Sequence, residues 1–101
     1  MSQTIVLQSQ GRQDLGFILM SGGPDSGDCL IRPVPTLLRT SDGPELQRLD
    51  ALKRLGECQW RDVGGATMIT APNGETVGEL RGGTFITGGC SLVAFYSGNR
   101  T

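Results

Sequence analysis

The spacing of glycine is the feature that most constrains this fold. The 101-residue chain contains 16 glycines, and they divide it into short apolar segments. Because glycine supplies the positive backbone angles that tight turns need, this rhythm is typical of a β-rich domain. The length suits one domain, so 1–101 is treated as a single β-rich domain. The sequence predicts a mainly β fold: a small single-domain β-sandwich or barrel-like meander with one inserted α-helix.

The expected strands follow from apolar or alternating runs between turn residues. In the second half, Asn73-Gly74 is a strong hairpin signal. Pro33 and Pro35 interrupt the third segment, and because proline cannot donate to a strand ladder, we expect that stretch at a sheet edge or in an extended crossing segment. The predicted strands are 4–8, 16–20 and 29–32, with 36–39 as a continuation, and then 57–63, 66–70, 75–80, 84–87 and 91–97.

One helix is predicted over about 44–55. Asp42 is placed to cap it, Pro44 suits its first turn, Glu45 lies three residues after Asp42, and Gly56 follows its end. Leucines recur on one side of this segment, at positions 46, 49, 52 and 55. We therefore expect an amphipathic helix that packs its apolar stripe on the sheet.

Composition excludes several kinds of site. The chain contains no histidine, which excludes Ser/His/Asp and Cys/His nucleophilic sites and zinc sites that need imidazole. Nine basic and ten acidic residues nearly cancel, so nucleic acid is an unlikely partner. We expect no catalytic residue, no cofactor and no metal site, and thus a protein that is not an enzyme.

Cysteine usage and hydropathy indicate the compartment. Cys29, Cys58 and Cys90 are odd in number and too widely spaced for a Cys-x-x-Cys pair, so no disulfide framework is expected. Residues 1–13 lack the pattern of a signal peptide, and no run of eighteen apolar residues occurs. We therefore expect a cytoplasmic protein, made soluble in a reducing compartment and with no membrane partner.

The segment 21–26, Ser-Gly-Gly-Pro-Asp-Ser, resembles the Ser-Gly-Gly-x-Asp-Ser phosphate loop of the PP-loop ATP pyrophosphatase family. The resemblance implies that Ser21, Gly22, Gly23, Asp25 and Ser26 cradle phosphates. In that family the loop runs directly into a helix, whereas Gly27, Pro33 and Pro35 oppose a helix here. A turn between two strands is the favoured interpretation, and a nucleotide- or nucleic-acid-binding module built on this loop is an alternative.

The remaining features point to protein contacts. Residues 92–96 form the most apolar run in the chain, which belongs in the core or between subunits, and tryptophan is enriched at binding hot spots. We therefore expect a structural or interaction protein that forms a homo-oligomer or docks on a larger assembly. By analogy of type, this includes virion components such as the decoration and tail-completion proteins of bacteriophages. A small regulatory protein that binds and inhibits a cellular partner is the other alternative. The candidate interface residues are Trp60, Leu92, Phe95, Tyr96 and Arg100.

Overall fold

A computed structural model describes residues 2–97, and side chains within 3–96. Over this range the chain forms eight strands and two helices, with both helices inserted between the third and fourth strands. The elements are β1 (Ser2–Gln8), β2 (Asp14–Gly22), β3 (Ser26–Pro33), α1 (Pro35–Thr40), α2 (Gly43–Leu55), β4 (Gly56–Val63), β5 (Ala66–Thr70), β6 (Thr76–Arg81), β7 (Thr84–Thr87) and β8 (Cys90–Ser97).

The eight strands form a closed antiparallel barrel. Each strand pairs with the next along the chain, and β8 pairs back onto β1, where Val6 lies opposite Phe95. The prediction of a mainly β, barrel-like meander with an inserted helix is confirmed. The prediction of a sheet edge near Pro33 is wrong, because closure pairs every described strand on both sides. Pro33 instead ends β3 opposite Gly16, where the loss of one donor interrupts no ladder.

The segment 36–39 is helical, so its prediction as a strand continuation is wrong. It belongs to α1, in which Pro35 occupies the first turn and needs no hydrogen-bond partner for its nitrogen. The predicted helix at about 44–55 is confirmed as α2. Asp42 is its N-cap residue in an extended conformation, but the Asp42 side chain does not form the expected capping hydrogen bond. Gly56 ends the helix with a φ of 58°.

Helix α2 closes one end of the barrel. Leu49 and Leu52 are fully buried, and the helix contacts β2, β3, β4 and β8. Arg48 Nε donates to the carbonyl of Ser91, 3.3 Å away, at the start of β8. Because β4 and β8 are not neighbours around the barrel, a helix that touches both spans the opening. The opposite end, where β4 and β8 finish, is not covered by α2, and we call it the mouth.

Large side chains from helix α2 and from neighbouring strands fill the interior by packing over glycines of the barrel. At each of these glycines, a Cβ atom would lie within 3.0 Å of a bulky side chain. Only glycine leaves enough room at such positions, so the glycines serve packing as well as turns. The pairs are Gly16 with Leu52, Gly27 with Trp60, and Gly78 with Phe85.

Candidate functional site

The predicted interface residues separate into two groups. Trp60 is only 8% exposed and Leu92 only 1%, and both lie inside the barrel, so neither is available on its outer surface. Trp60 Nε1 donates to the carbonyl of Ser21, 2.9 Å away. Phe95 and Tyr96 are 44% and 50% exposed. Arg100 lies outside the described residues.

Phe95 and Tyr96 face different sides of β8, because successive side chains in a strand point to opposite faces. Tyr96 pairs with the inward-facing Ile5, so it points toward the inside at the mouth. Phe95 pairs with Val6 and points outward. The two residues therefore belong to two separate surfaces.

Phe95 belongs to an outer surface that covers half the barrel and is uncharged at its centre. Two charged residues border it at one end: Asp14, which pairs with Gln8, and Arg12, which lines one hollow with Val93 and Phe95. We call this surface the wall and define it by the outward-facing residues between Ile86 on β7 and Leu19 on β2. At its centre, Val6 lies directly opposite both Phe17 and Phe95, and the two rings reduce its exposure to 7%. The wall consists of Thr84, Ile86, Ser91, Val93, Phe95, Thr4, Val6, Gln8, Phe17 and Leu19.

The wall gathers most of the exposed apolar side chains in the described structure. Of the six large hydrophobic residues that are exposed, four lie on it: Leu19, Ile86, Val93 and Phe95. The outer faces of β3, β4 and β6 differ, since each carries charged residues. These are Asp28, Arg32, Glu57, Arg61, Glu79 and Arg81. The outer faces of the strands therefore carry most of their charged residues on the half opposite the wall, with Asp14 on β2 as an exception.

The sequence analysis identified only part of the wall. The apolar run 92–96 was visible, and it placed Phe95 in the candidate set. Phe17 and Leu19 were missed because they join Phe95 only when β8 pairs with β1 and closes the barrel. Ile86 was missed although its strand, β7, pairs with β8 directly. The pairing of β8 with β1 joins segments that are about ninety positions apart in sequence, for example Thr4 with Ser97.

The 21–26 loop is a turn between two strands, which is the interpretation that the sequence favoured. Gly23 N donates to the carbonyl of Ser26, 2.9 Å away, and closes the turn. Ser26 begins β3, so a strand stands where the phosphate-loop family has its helix. Asp62 N donates to the carbonyl of Asp25, 2.8 Å away, which ties the loop to β4. The loop therefore lacks the helix N-terminus that would face a phosphate.

The three cysteines are free thiols, and two of them face each other inside the barrel. Cys29 on β3 lies opposite Cys58 on β4, and both are buried. Burial, together with smaller effects of the nearby Cys58 and Asp28, raises the pKa of the Cys29 thiol to about 12. Burial also raises the pKa of Cys58. Since a thiolate is the reactive form, these thiols fit a structural role. Within residues 2–97, no group of three or more Cys, Asp or Glu side chains is arranged to hold a metal ion.

Comparison with protein-family models, with curated proteins and with solved structures finds no match to this chain. In the described part of the chain, neither helix has the length and apolar character needed to cross a membrane. A functional assignment therefore rests on the geometry of the surface itself. The wall is the outer surface on which large hydrophobic side chains stay exposed to solvent instead of being buried by folding.

Proposed function

We propose that this protein is a non-enzymatic structural protein that self-associates, with the wall as its contact surface. The observation that carries the proposal is the position of four of the six exposed large hydrophobic residues on one half of the barrel. Scattered exposed hydrophobic residues are normal in monomers, whereas a contiguous patch marks an interaction surface.

The absence of charge at the centre of the wall favours a second copy as its occupant. In a two-fold contact the same patch meets itself, so a charged residue near the axis would face a like charge. Val6, Phe17 and Phe95 at the centre of the wall can meet their counterparts without that repulsion. A closed barrel also offers no unpaired strand edge, so association has to occur through side chains rather than through an added strand.

The size of the wall is compatible with a stable dimer. A standard interface buries about 800 Å² on each partner, which is roughly one eighth of the 6088 Å² accessible surface of this chain. The wall spans four of the eight strands, so it exceeds that fraction of the barrel's circumference. Phe95 and Phe17 supply aromatic area at its centre, where binding energy concentrates in known interfaces.

Sedimentation velocity over a wide range of protein concentration tests the proposal. We expect the wild-type chain to sediment as an oligomer and the Phe95→Lys variant to dissociate, because a lysine at the centre of the wall would face a like charge. Val63→Lys is the matched control, since Val63 is 48% exposed but lies on β4, outside the wall. We expect this control to associate as the wild type does.

Circular dichroism of each variant shows whether the barrel is still folded. A folded Phe95→Lys variant that associates as strongly as the Val63→Lys control would refute the role of the wall. A wild-type chain that is monomeric at every concentration would overturn self-association itself.

A further inference from the structure

We propose that the mouth of the barrel binds an organic cation, namely an alkylammonium group such as a lysine side chain or a small primary amine. This site lies inside the end of the barrel rather than on the wall, so the proposal is independent of self-association. The observation behind it is that a carboxylate and two aromatic rings border one small cavity at the open end.

The cavity at the mouth has a volume of about 200 Å³. Asp62 and Thr67 lie opposite each other on β4 and β5, and Tyr96 closes the side formed by β8. Trp60 lies two residues before Asp62 on the same inward face, deeper in the barrel. Gly22, Gly23 and Pro24 of the loop after β2 complete the rim. This volume suits one unbranched chain and is smaller than the cavities that hold drug-sized ligands.

Asp62 is held in position by one hydrogen bond to its carboxylate and one from its backbone. Thr67 Oγ1 donates to Asp62 Oδ1, 2.7 Å away, and Asp62 N donates to the carbonyl of Asp25. The salt bridge within the described residues joins Arg81 to Glu79, on the outer face of β6. Among those residues no cation pairs with Asp62, so its carboxylate is available to a positively charged ligand.

The aromatic rings add a second favourable interaction for a cation. Tyr96 is half exposed at the rim, and the Trp60 ring is fixed by its hydrogen bond to Ser21. A cation near the face of such a ring is attracted by the ring's electron density, and the attraction increases when water is partly excluded. A carboxylate beside aromatic rings therefore favours an ammonium group over a neutral ligand of the same shape.

An anion is disfavoured at the same place. The loop that resembles a phosphate loop brings Asp25 next to Asp62, and no lysine or arginine borders the described cavity. A phosphate would meet the Asp62 carboxylate without a compensating cation or helix N-terminus. The mouth therefore selects for positive charge.

Titration of the 15N-labelled protein with n-butylammonium, followed by amide chemical shifts, tests this proposal. Butyrate serves as a control ligand of similar size and opposite charge. We expect saturable shifts at the mouth with n-butylammonium and none there with butyrate. We also expect Asp62→Asn to weaken binding by about tenfold or more, which corresponds to roughly 1.4 kcal/mol.

Asp28→Asn is the matched control variant, since it removes one carboxylate from the outer face of the neighbouring strand β3. It should leave the affinity nearly unchanged. Tyr96→Leu provides a second variant that keeps the Asp62 to Thr67 hydrogen bond, and it should weaken binding by removing the rim ring. Equal affinity in Asp62→Asn and Asp28→Asn, or equal shifts with butyrate, would overturn the proposal, as would the lack of any shift at the mouth.

Discussion

Adding a single methyl group at Gly78 should destabilise the barrel by crowding Phe85. Gly78 on β6 faces the interior, and a Cβ built on it would lie 2.8 Å from Phe85 Cε1 and 2.9 Å from Cζ. Carbon atoms pack favourably at about 3.5–4.0 Å, so the ring has to move by several tenths of an ångström. Phe85 is fully buried, and its movement would disturb the packing around it.

The expected cost of Gly78→Ala follows from two opposing effects. Overpacking a core costs about 1–3 kcal/mol. Replacing glycine by alanine stabilises by about 0.4–1 kcal/mol, because the unfolded chain loses conformational freedom. The net loss in the free energy of unfolding should be about 1–2 kcal/mol. In a domain of this size, each kcal/mol lowers Tm by roughly 4–8 °C.

Urea unfolding of four variants separates crowding from other effects. Gly11→Ala is the control, because its Cβ would meet only Ser9 Oγ, at 3.8 Å, and neither Gly11 nor Gly78 has a positive φ. We expect Gly11→Ala to be neutral or slightly stabilising. Phe85→Leu alone should destabilise by leaving a cavity, and the double variant with Gly78→Ala should recover at least about 1 kcal/mol as coupling. Strictly additive effects would show that Gly78 and Phe85 are not packed as described.

Two further predictions concern the interior. The pKa of the Cys29 thiol is about 9 in the unfolded chain and about 12 in the barrel. Above pH 9 the unfolded state therefore binds fewer protons than the folded state. The free energy of unfolding should fall as pH rises, by roughly 1.4 kcal/mol per pH unit up to pH 12. Urea unfolding of wild type and Cys29→Ala at several pH values measures this, and identical pH slopes would contradict it. Trp60→Phe removes the donor to the Ser21 carbonyl and should lower the free energy of unfolding by about 1–2 kcal/mol. Urea unfolding monitored by circular dichroism measures this loss. An unchanged urea midpoint would show that this hydrogen bond contributes nothing to stability.

The local features of the fold were predictable from the sequence. Turns such as Gly64-Gly65 between β4 and β5 need positive φ, so glycine marks them directly. The leucine spacing of α2 likewise depends only on neighbouring residues. Pro35 was misread because proline ends a strand and begins a helix equally well, and only the surrounding packing decides between the two.

The candidate surfaces were less predictable because they depend on contacts between distant segments. Trp60 drew attention as a possible anchor, yet it fills the space above Gly27, and no local pattern links these two positions. The mouth brings Tyr96 near Asp62, although they belong to strands that are not adjacent in the barrel. Alternation predicts which face of a strand a residue occupies, whereas closure decides which residues share a surface.

Barrel closure also explains why the wall and the mouth are separate functional surfaces. A closed barrel satisfies its backbone donors and acceptors internally, so further contacts must use side chains. Helix α2 occupies one opening, which leaves the mouth as the end that a ligand can enter. Phe95 and Tyr96 are consecutive residues, yet one faces the wall and the other the mouth. A substitution at Phe95 should therefore alter association without altering cation binding, and one at Tyr96 should do the reverse.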